Sequence, residues 1–132
     1  MTLKEIMLYL KSLETTFSHY YLETLDSKKD DSLGIYNSKR PTPFFIALGG
    51  LENTSYCTKS VSLLIHGTRD FSATEAKAIA LYKQLMVTPK SIGTHKINYI
   101  KLFNNEPIFV NRDNQGICEF VIDFEINYQV RR

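Results

Sequence analysis

Apolar residues recur in two different rhythms along this chain. Leu3, Ile6, Met7, Leu10 and Leu13 return at steps of three and four, with Lys4, Glu5, Lys11 and Glu14 away from them. That spacing makes one apolar stripe and predicts a helix. Thr2 and Glu5 stand ahead of it in capping-box spacing, where hydroxyl and carboxylate satisfy unpaired amides of the first turn. From Thr16 the rhythm shortens. Residues 17–25 are rich in aromatic and β-prone types with partial alternation, and predict a strand.

A polar stretch, DSKKDDS at 26–32, reads as a loop, and LGIYN at 33–37 as a short strand. Pro41 and Pro43 in SKRPTP each remove a backbone donor, which excludes an interior strand there. FFIAL at 44–48 predicts a further short strand before the turn marked by Gly49, Gly50 and Asn53. Period two then returns at 55–67, where Cys57, Lys59, Val61, Leu63 and Ile65 share a face.

FSATEAKAIALYKQLM at 71–86 predicts the second helix, with Ser72 and Glu75 as a second capping box and Pro89 beyond its end. Its buried stripe is expected to hold Ala78, Ile79, Tyr82, Leu85 and Met86. KINYIKLF at 96–103, PIFVN at 107–111 and the closing run predict three more strands, the last two joined by RDNQG. The closing run is unusually long: Cys118, Phe120, Ile122, Phe124, Ile126, Tyr128 and Val130 alternate with mostly polar residues. An ordinary strand has about five or six residues.

The expected fold is α+β. One antiparallel, possibly mixed, sheet carries two helices on one face, in a single domain spanning 1–132.

Composition narrows the class. At 132 residues, 43% apolar and 23% charged, the chain can hold a core without disulfides or metals. A net charge of +2 is too weak for a dedicated nucleic-acid binder. Lys28 and Lys29 are offset by Asp30 and Asp31. No apolar run reaches membrane-spanning length, and Lys4, Glu5 and Lys11 interrupt any signal-like core. Cys57 and Cys118 lack metal or redox spacing, which fits core packing in a reducing cytoplasm.

Catalytic chemistry is hard to find. The chain has no phosphate-cradling glycine loop, no paired-histidine or paired-cysteine metal spacing and no nucleophile elbow. No catalytic, cofactor-binding or metal residue is assigned, and no cofactor is expected. The one alternative of another class is a small hydrolase or nucleotide-binding protein using His66 as base with Asp70 or Asp123. Asp123 and Glu125 also stand two apart on one strand face, but as ordinary solvated residues.

Three stretches carry a resemblance: SLGIYNSKRP, GGLENTSYCTKSVSLLIHGTRDFSATEAKAIALYKQL and NRDNQGICEFVIDFEINYQV. Together they resemble phage minor capsid proteins that act as tail terminators of long, non-contractile-tailed phages and prophages. Gly34 to Tyr36, Leu64 to His66, and the run from Asp113 to Phe124 carry the match. Gly67 departs from it, standing where an aromatic would be expected.

The resemblance implies a structural virion protein, not an enzyme. It would form a hexameric ring that caps the tail tube, stops its growth and joins the tail to the head. The implied partners are further copies of the chain, the tail tube protein and a head-completion or neck protein. DNA would pass through the channel without sequence reading, and no membrane is involved. The location would be the virion's head–tail interface, after assembly in the host cytoplasm. A head-completion or neck adaptor is the second reading. For a ring, Lys39, Arg40 and Arg69 of one copy are the expected partners of Glu119, Asp123 and Glu125 of the next, because such pairs fix register.

Overall fold

A computed structural model describes residues 1–38 and 55–130. In chain order the elements are α1 (Leu3–Lys11), β1 (His19–Leu22), β2 (Ser32–Asn37), β3 (Tyr56–His66), α2 (Phe71–Leu85), β4 (Ser91–Ile92), β5 (His95–Leu102), β6 (Ile108–Arg112) and β7 (Cys118–Gln129). The fold is α+β with one sheet, in the order β1-β2-β3-β7-β5-β4, and β6 also pairs with β7.

The long closing strand is the middle of the sheet. Along one edge β7 pairs with β3 without interruption, from Tyr56 opposite Gln129 to His66 opposite Glu119. Along the other edge two short strands share it. β6 takes the stretch from Cys118 to Val121, and β5 the stretch from Phe124 to Tyr128. Its length follows from serving three neighbours.

One face of this sheet is the core. Val61, Leu63 and Ile65 of β3 lie opposite Phe124, Ile122 and Phe120 of β7. All six are 3% exposed or less. The same cluster holds Ile6 and Leu10 of α1 and Ala78, Leu81 and Leu85 of α2. Each such side chain contributes roughly 1.5–3 kcal/mol on leaving water. Cys118 is fully buried there and Cys57 packs against it.

The sheet is mixed, not wholly antiparallel, because β1 runs parallel to β2. Asp31 explains how a short connection achieves this. Its backbone oxygen accepts the amides of Ser18 and His19, and its side chain accepts the Ser18 hydroxyl at 2.7 Å. The loop's end is thereby fastened beside the start of β1, so β2 sets out in the same direction. Asp31 adopts a left-handed φ of 51°, a conformation in which Asp is several-fold over-represented.

Helix starts divide between expected and displaced. The Thr2–Glu5 capping box is present in full. Thr2 donates its backbone amide to Glu5 at 3.0 Å, which holds that carboxyl below its ordinary range. In α2 the cap is Asp70, not Ser72, and its carboxylate accepts the Ala73 amide at 3.2 Å. The buried stripe is also rotated. Thr74, Ala78, Leu81 and Leu85 point inward, while Ile79 and Met86 are 37% and 63% exposed. The strand expected over 17–25 is confined to His19–Leu22, and β4 was not anticipated. The strand expected at 44–48 lies outside the described residues.

Candidate interaction surface

The sheet's second face is a patterned polar layer. Cross-strand partners share a face, so the registers place Ser32, His66 and Glu119 in one row. Gly34, Leu64, Val121 and Ile108 form the next, and Tyr36, Ser62 and Asp123 the third. Ser60, Glu125 and Lys101 follow, then Thr58, Asn127 and Tyr99. The bulge between Ile97 and Tyr99 brings Asn98 to Asn127, whose oxygen accepts its amide at 2.7 Å. Asn127 in turn donates to Thr58 at 3.2 Å. Burial pushes the Tyr36 hydroxyl up, and the charges of Glu23 and Glu119 push the same way.

His66 stands in the middle of the first row, fully buried. Glu119 Oε2 lies 2.9 Å from Nδ1, the Ser27 carbonyl 3.2 Å from Nε2, and Asp113 Oδ2 3.5 Å from Nε2. All three neighbours are oxygen acceptors, so whichever ring nitrogen carries a proton donates it to one of them. It clips the 23–31 loop, the β6–β7 turn and the start of β7 together. Neither carboxylate expected to partner it is there: Asp70 caps α2, and Asp123 stands opposite Ser62. Both nitrogens face groups of this chain, and the ring is fully buried.

Just beyond, Gly67 meets Thr74. A Cβ built on Gly67 would fall 2.3 Å from Thr74 Cγ2, so the missing side chain makes room for the helix. Thr74 Oγ1 accepts the Thr68 amide at 3.0 Å across that gap. The departure from the family's expected aromatic thus has a local reason.

The residues expected to make subunit contacts are spread out. Arg69 is exposed and donates through Nε to the Gln115 carbonyl at 2.8 Å. Glu119 is bound to His66. Asp123 is half-buried, and Glu125 is 8% exposed opposite Lys101. Lys39 and Arg40 lie outside the described residues.

A feature missed in the sequence lies where α2 borders β6. Glu75, Ile79, Glu106, Pro107, Ile108, Phe109 and Phe120 line an open recess of about 250 Å³. All five residues of β6 are exposed, and its Ile108, Phe109 and Val110 are 43–53% accessible. Phe109 still touches Phe71 and Phe120 edge-on, at 5.2 and 5.4 Å between ring centres. The signal was three consecutive apolar residues in a five-residue strand, since alternation cannot send all three inward. Among the described residues, no cluster of His, Cys, Asp or Glu could hold a metal ion, and no helix is long and apolar enough to cross a membrane.

The described residues thus offer an open recess beside β6 and a patterned sheet face. The chain belongs to the bacteriophage tail terminator family: the family model described as "Bacteriophage tail terminator protein" matches residues 2–130. The family is structural and places the protein in the virion tail. None of the curated proteins matches the chain.

Proposed function

We propose that this protein caps the tail tube, stops its polymerisation and joins the tail to the head. It acts as a ring of six copies, assembled in the host cytoplasm, through which DNA passes unread. Nothing turns over and no cofactor takes part. The observation that carries this reading is the family match over nearly the whole chain. The exposed β6 strand and the patterned sheet face give such a ring contact surfaces.

Lys39, Arg40 and Arg69 are the proposed cations of the subunit contact, and Glu119, Asp123 and Glu125 the anions. Glu119 is shared with His66, so it also holds the start of β7 in place. Charge reversal at Arg40 that leaves the assembly intact removes that residue from the contact.

Deleting the gene from its phage tests the function. Over-long tails and unattached heads, seen by electron microscopy, are the expected result. Tails of normal length on filled heads would refute the capping role.

A further inference from the structure

We propose that the recess between α2 and β6 receives residues 39–48 of a neighbouring copy, the stretch KRPTPFFIAL. This rests on the ring proposed above and gives Lys39 and Arg40 the acidic rim of the recess as partner in place of the acids of the sheet face. The recess has an apolar floor of Ile79, Ile108, Phe109 and Phe120, with Glu75 and Glu106 beside it. Exposed apolar surface next to an open strand edge calls for a cover. The floor calls for apolar side chains and the rim for cations. The stretch supplies both, with Lys39 and Arg40 leading into Phe44, Phe45 and Ile46.

Reach decides whose segment it is. Phe120 lines the recess, while the Val130 amide donates to the Ser55 carbonyl where the segment rejoins the sheet. Those two levels are ten positions apart along β7, about 33 Å. Phe45 and Ser55 are also ten positions apart, at most about 33–36 Å when fully stretched. A copy filling its own recess would need that limb taut along a straight line through the molecule. A neighbour's segment meets no such limit. Root and recess then lie at opposite ends of β7, so the contact is head-to-tail, the kind that closes rings.

The test has two parts, both on the full chain. A labelled peptide of residues 38–50 is titrated with the protein and followed by fluorescence anisotropy. Saturable binding is expected, weakened at least about tenfold in Phe109→Glu and in Ile79→Glu. Both substitutions are at exposed positions, and each variant is checked for a cooperative thermal transition, so one misfolded variant does not end the test.

In the second part, Phe109→Glu copies are mixed with Phe45→Glu copies. Each alone loses self-association, and the mixture stops at a one-to-one pair, because only one sound segment and one sound recess remain. Light scattering and native mass spectrometry read the outcome. Absence of peptide binding, equal binding by both recess variants, or parental association of Phe45→Glu would each overturn the proposal. So would a recess that binds tail tube protein and not the peptide. The capping role fails separately, by normal tails in the deletion phage. Over-long tails together with a peptide that does not bind remove the segment alone.

Discussion

The two edges of β7 are built differently. On one, β3 runs beside it for eleven paired positions with no slip in register. On the other, β5 and β6 divide it between them, and each pairing contains a bulge. The β3 side is sealed, with Val61, Leu63 and Ile65 at 0% exposure. The β6 side leaves Ile108, Phe109 and Val110 at 43–53%. One edge does the work of folding a monomer. The other leaves apolar side chains at the surface, where the ring proposed above would use them.

The largest expected effect tests that contrast directly. Phe124→Ala, at the sealed edge, should cost about 3–5 kcal/mol in urea unfolding, while Phe109→Ala should cost about 1 kcal/mol through its lost aromatic contacts. Equal costs would erase the distinction. Next comes the clip at the end of the sealed edge. His66→Ala removes the ring that bridges Glu119 and Ser27, and should cost about 1–3 kcal/mol. It should also raise amide exchange in both the 23–31 loop and the 113–117 turn.

The helix bordering the open edge offers a smaller probe. Asp70→Ala should cost about 1 kcal/mol, and Ser72→Ala clearly less, because Asp70 holds the cap. The smallest effect is one of pH, at Asp31. Burial pushes this carboxyl up, but hydrogen bonds from Lys77 and Ser18 and the Lys77 charge outweigh it and hold it low. A depressed carboxylate adds stability above its unfolded pKa and loses it as pH falls through the folded one. The gap between parent and Asp31→Asn should therefore be widest near neutrality and close in acid. An acid-independent gap would show that the ion pair with Lys77 is not its cause.

The same contrast explains what the sequence disclosed. β3 and β7 were legible because each faces core on one side and polar surroundings on the other, which forces strict alternation. The stripe of α2 was misjudged because Ile79 and Met86 were assumed to point inward. Apolar residues do not all go inside, and Ile79, which stays out, lines the recess. The parallel β1–β2 pair was hidden because it depends on Asp31 folding the loop back, a tertiary effect with no periodic trace. β4 has two residues and leaves no pattern. His66 was noticed but misassigned, since its partners Glu119 and Ser27 lie 53 and 39 positions away. Lys39 and Arg40 stay beyond comparison, outside the described residues.

The place of β7 in the order of synthesis has a cost. His66 leaves the ribosome 53 positions ahead of Glu119, an interval of roughly 3–10 s at ordinary elongation rates. Throughout it, β3 has β2 along one side, but the edge that β7 will cover stays open. Nascent chains on neighbouring ribosomes are then the nearest templates for mispairing. A chain truncated anywhere before residue 118 should yield insoluble product instead of a smaller folded piece, because the strand that β3, β5 and β6 all pair with is still unmade.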